Sequence, residues 1–118
     1  MMRHVESNTQ QAFVRWFRLQ YPDYALCLTS IPNGGLRNAR EAATLKREGM
    51  TAGAADLLLL IPRGVYGALG LEFKTLTGRQ SAAQREWQKA FEASGNKYVV
   101  VRTLEEAILV ANRYMNLK

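Results

Sequence analysis

The amino-acid sequence predicts one mixed α/β domain, and three observations carry that expectation. Segments with apolar residues at helical spacing alternate with short strand-like runs. Two of those runs, roughly Ala55 to Ile61 and Ala68 to Thr75, are joined only by "PRGVYG", a connector short enough to demand antiparallel hairpin pairing. A length of 118 residues allows one core, not two.

Taken in chain order, Phe13, Trp16 and Phe17 recur at helical spacing between Asn8 and Gln20, with Ser7 and Gln10 as a capping box and Tyr21 and Pro22 at the end. "YALCLTSIP", Tyr24 to Pro32, reads as a strand, and Asn33 to Gly35 as a turn or loop. Asn38 to Glu48 reads as a short helix with a basic face, stopped by Gly49. After the hairpin, Ser81 and Gln84 form an S-x-x-Q cap. They open a helix whose stripe is Ala83, Trp87, Ala90 and Phe91, closed by Gly95. Lys97 to Arg102 is a short strand, and Thr103 with Glu106 caps a last helix through about Tyr114. Trp16, Trp87 and Phe91 fall on core spacing and are packing residues rather than base-stacking platforms.

An apolar fraction of 47% and a charged fraction of 22% are those of an ordinary globular chain. The longest apolar run, Leu57 to Pro62, is far below the ~18 residues of a spanning helix, and no signal-like region opens the chain. The expected location is the cytoplasm. Cys27 stands alone, which excludes an intrachain disulfide and a cysteine metal cluster, and His4, the only histidine, gives no basis for histidine-centred hydrolysis. The formal charge of +6 attracts polyanions, nucleic acid among them.

The hairpin carries the chemistry. "GLEFKT" places Glu72 and Lys74 on one face and Leu71 and Phe73 on the other. If the hairpin is centred near Gly64, Asp56 comes opposite Glu72, with Cβ atoms ~5 Å apart. Two carboxylates so placed repel unless they share a proton or a cation, and their oxygens suit Mg²⁺ or Mn²⁺. Such a site could hydrolyse a phosphodiester, with Lys74 orienting water or neutralising developing charge. The plainer alternative is an edge hairpin with a solvent-facing ion pair and Asp56 merely opening a strand. A one-residue register slip would also turn Asp56 away.

The ordered set Asn33-Gly34-Gly35, Arg37, Leu45-Lys46, Gly49, Gly53-Ala54-Ala55-Asp56, Glu72-Phe73-Lys74, Gly78, Ser81 and Gln84 resembles the VRR-NUC family, the virus-type replication and repair nucleases of the PD-(D/E)XK superfamily. The resemblance runs from Glu6 to about Arg102 and departs from the usual pattern at Ala55, where proline is frequent. It implies a restriction-endonuclease-like PD-(D/E)XK core, a central mixed β-sheet flanked by helices, in a chain that is one nuclease domain over residues 1–118. It implies Mg²⁺ or Mn²⁺ held by Asp56, Glu72 and the Phe73 backbone carbonyl, completed by Glu6 from the first helix. Lys74 and Gln84 join Asp56 and Glu72 as catalytic residues. It further implies DNA as partner, branched DNA such as Holliday junctions as substrate, and a homodimer. The "DLLLLIP" strand and Ile108, Leu109 and Val110 are the candidate buried surfaces. Arg37, Arg40, Lys46, Arg47, Arg79 and Arg85 are candidates for phosphate contacts, the arginines bidentate and the lysine as a point charge. A structure-insensitive endonuclease and a non-catalytic nucleic-acid-binding domain on the same fold are the alternatives.

Overall fold

In the computed structural model, residues 2–32 and 38–118 are described, with the backbone alone for 2–4. Arg37 and the Asn33 to Gly35 loop therefore lie outside the described residues, as does the side chain of His4. Helix α1 (Met2–Gln20) leads through a 3-10 helix (Pro22–Cys27) into β1 (Leu28–Ser30); α2 (Ala39–Arg47), β2 (Leu57–Leu59), β3 (Leu69–Phe73), α3 (Ala82–Ala93), β4 (Lys97–Val101) and α4 (Leu104–Met115) follow.

One four-stranded sheet has the order β1-β2-β3-β4. The first three strands are antiparallel, and β3 pairs parallel with β4. A parallel pair needs a crossover, which α3 supplies. Alternation then sorts the strands. Leu57, Leu59, Leu69, Leu71, Phe73 and Val101 join Phe13 and Phe17 of α1 and Ala107, Ala111 and Tyr114 of α4 in the core. Gly70, Glu72 and Lys74 consequently face the other way, toward α3.

Several expected boundaries move. Helix α1 starts before Ser7, so Ser7 caps nothing; its Oγ accepts from Gln11 Nε2 at 3.0 Å, one helical turn on. Tyr24 to Cys27 is not strand, because Pro22 and Asp23 at the start of a helical turn suit its φ and its free N–H groups, and they outweigh the strand-like composition that follows. The hairpin strands are shorter than the apolar runs that suggested them. Helix α3 has its capping box, yet none of its residues is buried: Trp87 stacks on Phe91 at 4.6 Å, while Ala83 and Ala90 are exposed. The helix rests on the sheet through those two rings, and a Cβ at Gly70 would stand 2.9 Å from Phe91 Cε2, so only glycine permits the approach. Of the "DLLLLIP" run, Leu57 and Leu59 are core and Leu60 is exposed. Ile108 and Val110 pack against the core and Leu109 faces out.

Candidate active site

The β2–β3 ladder pairs Leu57 with Leu71, which continues to Asp56 opposite Glu72. Ladder pairing ends at Leu57, but the alignment is held by other bonds. The Asp56 carbonyl accepts from Ile31 N at 3.1 Å, and Asp56 Oδ2 accepts from Phe73 N at 2.7 Å. Lys74 N donates instead to Val101 O on β4. Since N–H and C=O of one strand residue point the same way, the Phe73 carbonyl is aimed to the Asp56 side.

Glu72 is not on an edge. Its strand is paired on both sides and the residue is only 2% exposed, so a solvent-facing ion pair does not describe it. Sheet order is not a local property, which is why the hairpin sequence left this open. Glu72 Oε2 accepts from Gln84 Nε2 at 2.8 Å and lies 3.9 Å from Lys74 Nζ, while Oε1 is buried with no hydrogen-bond partner among the described residues. Burial, and then the Asp56 charge, push the Glu72 carboxyl up to about 8, against a weaker opposing pull from Lys74. Burial raises Asp56 as well, more than the Phe73 N–H lowers it, and Glu6 adds to the rise.

Gln84 performs two duties that the sequence sets in competition. Its Oε1 accepts from Ser81 N at 2.8 Å as the capping-box contact, and its Nε2 holds Glu72. The two ends of one amide divide the work. Glu6, Asp56, Glu72, Lys74 and Gln84 all line a cleft of about 450 Å³. Among the described residues no group of three or more His, Cys, Asp or Glu side chains converges as a metal cluster; Glu6 lines the same cleft, and its charge adds to the rise of both Asp56 and Glu72. The donors on and beside the strands nevertheless fit a hard cation: two carboxylates, one of them with an orphaned buried oxygen, and a carbonyl on the same side.

None of Arg40, Lys46, Arg47, Arg79 and Arg85 lines this cleft; all are exposed, and Lys46 and Arg47 close the last turn of α2. Two supporting residues have no role in the sequence reading of the site. Arg102 donates from Nη1 to the carbonyls of Thr75 and Gly78, both at 2.7 Å, and so clamps the loop that follows Lys74. Gly53, at φ +84°, lets the segment entering Asp56 touch the first turn of α3, because a Cβ there would lie 2.3 Å from Ala83 O and 2.7 Å from Gln84 N. The glycine was visible as part of a motif, but its contact with α3 is tertiary.

The family profile of the VRR-NUC domain matches residues 1–104. A solved structure described as a "VRR_NUC domain protein" is similar, with a TM-score of 0.84 at 27% identity over 96% of this chain and 89% of that one. A comparison with curated protein sequences returns no match. With the profile spanning most of the chain and the mixed sheet, flanked by helices, superposing on a member, this chain belongs to the VRR-NUC family of nucleases and has its PD-(D/E)XK fold.

Proposed function

We propose that this chain is a Mg²⁺- or Mn²⁺-dependent endonuclease that hydrolyses phosphodiester bonds in DNA, prefers branched substrates such as four-way Holliday junctions, and works as a two-fold homodimer. The observation that carries the metal-dependent chemistry is the buried Glu72 carboxylate, with Oε1 unpartnered, beside Asp56 and Lys74 in an open cleft.

Asp56, Glu72 and the Phe73 carbonyl would hold the cation, with Glu6, which lines the same cleft, completing the set; bound there, it would acidify a water and offset charge on the phosphate. Gln84 keeps Glu72 in one orientation by donating to Oε2. Lys74, its side chain 14% exposed, presents an ammonium at the cleft, where it donates to the attacking water or to a phosphate oxygen. Arg37, Arg40, Lys46, Arg47, Arg79 and Arg85 supply backbone affinity with little sequence readout. Leu60 and Leu109 are the exposed apolar residues of the two surfaces considered for dimerisation.

Cleavage of labelled linear, nicked, flapped and four-way DNA, with Mg²⁺, Mn²⁺ or EDTA, tests the reading. Chelator should stop the reaction, junctions should be cut faster than matched linear duplex, and Asp56→Asn, Glu72→Gln and Lys74→Ala should each lose most turnover. Undiminished cleavage in EDTA, or parental rates in Glu72→Gln, would refute the mechanism. Equal rates on junction and duplex would make it a structure-insensitive endonuclease. Light scattering should give about 27 kDa, twice the 13.3 kDa chain.

A further inference from the structure

A second concavity is larger than the cleft. A groove of about 680 Å³ runs between α1 and the β1–β2 edge, and it meets the cleft at Gln10 and Ser30, which line both. Its floor is apolar, made by Val14 and the buried Leu28 and Leu57, and Leu19 stands 79% exposed at its far end. Its rim carries Arg15 and Arg18, both exposed, with no carboxylate within 4.0 Å of either among the described residues. Gln10, Val14 and Arg18 follow Glu6 at steps of four along α1, each about 40° further round the helix, and Arg18 stands about 18 Å along the axis from Glu6.

Among the described residues no acidic side chain lines this groove, whereas the depression on α3 mixes Arg85 and Lys89 with Glu86 and Glu92. Of these two surfaces, the first therefore offers a polyanion leaving the cleft positive charge that no lining carboxylate offsets. The floor narrows the choice of occupant further. Paired DNA keeps its base faces stacked inside the duplex and offers an apolar floor nothing, whereas an unpaired strand offers a phosphate and an apolar base face at every step.

Resting on the nuclease reading, we propose that the α1 groove is a strand-guiding subsite that receives unpaired nucleotides of the DNA strand flanking the scissile phosphate. Their phosphates contact Arg15 and Arg18, and their bases lie against Val14 and Leu19. This ties a preference for branched DNA to a place: unpaired nucleotides at a flap, or at a branch point whose end pairs have opened, enter the groove, and continuous duplex cannot.

The test is fluorescence anisotropy in Ca²⁺ on labelled duplexes with and without a short single-stranded DNA flank, using the full chain and an Arg15→Gln/Arg18→Gln double variant. Both changes are on the exposed helix surface and keep good helix formers. The wild type should bind the flanked duplex about tenfold more tightly, and the double variant should lose that advantage with its melting temperature unchanged. Its affinity for the flanked duplex should also depend less steeply on salt, the slope falling by about 1.4 for two single-strand phosphate contacts. Equal binding of flanked and blunt duplex by the wild type, an unaltered preference in the double variant, or stronger binding of an RNA flank would overturn the inference. Failure of the nuclease reading is a separate result, namely no cleavage of any DNA by the wild type in Mg²⁺, and it leaves the binding comparison able to judge the groove.

Discussion

Glu72 should make the cation-free protein less stable as pH rises. Its carboxyl titrates near 4.5 when unfolded and is pushed up to about 8 in the fold by burial and by Asp56. Between those values the folded chain holds a proton that the unfolded chain has released, so stability falls with rising pH by up to about 1.4 kcal/mol per pH unit. The contribution is whole below the lower value and gone above the upper one. Asp56, also raised by burial, adds in the same direction. For a chain of 118 residues the slope amounts to roughly 5 °C per pH unit. Thermal melts in EDTA should be run from about pH 5 to about pH 8 on the wild type and on Glu72→Gln, which keeps an acceptor for Gln84 but cannot ionise. The difference between the two reads Glu72 together with its interaction with Asp56, because the groups remote from the pair are common to both. The variant should gain on the wild type as pH rises. Mg²⁺ or Mn²⁺ should flatten the wild-type slope, since a cation favours the ionised carboxylate and stabilises by about 2.7 kcal/mol at a hundredfold excess over Kd. Parallel pH curves for the two proteins, or a difference of opposite sign, would refute the reasoning.

The two duties of Gln84 can be separated. Ser81→Ala should cost about 1 kcal/mol of stability and leave cleavage intact, whereas Gln84→Glu keeps the capping box but loses the donor to Glu72. A charge-assisted hydrogen bond of about 1.5–3 kcal/mol corresponds to a loss of roughly tenfold to a hundredfold in kcat, read by steady-state cleavage beside a thermal melt. Gly53→Ala forces a methyl group to 2.3 Å from Ala83 O at a positive φ, so denaturation should show a loss of about 1–3 kcal/mol. Its cleavage rate should fall even well below the melting temperature, because α3 carries Gln84 away from Glu72.

What the sequence made legible was what depends on neighbours in the chain. Counting outward from Gly64 placed Asp56 opposite Glu72, and the pairing of Leu57 with Leu71 agrees. The caps at Ser81 and Thr103 were readable because each needs only a side chain and a backbone N–H three residues on. The rest depends on contacts remote in sequence. Glu72 is buried because β4, arriving after α3, pairs on the far side of its strand. Helix periodicity gave α3 an apolar stripe but could not say that only two rings of it would meet the sheet. Tyr24 to Cys27 has a strand's composition and a helical turn's backbone, set by Pro22 just before it. Arg15 and Arg18 drew no notice in the sequence because they lie on the polar side of a helix judged by its aromatic residues; only the fold sets them beside β1 and the cleft.

At the end of the β2–β3 ladder, the Asp56 carboxylate accepts the Phe73 N–H that a further strand residue would otherwise bind. The same side chain is thus a rung of the sheet and a candidate metal ligand, which governs how an inactive form of the protein should be made for trapping a DNA complex. Alanine at this position would orphan a backbone donor in the middle of the site, letting a loosened strand pass for lost chemistry. Asparagine leaves an oxygen for the rung and removes only the charge. An Asp56→Asn protein is therefore the form in which uncleaved DNA would be held by an undistorted sheet.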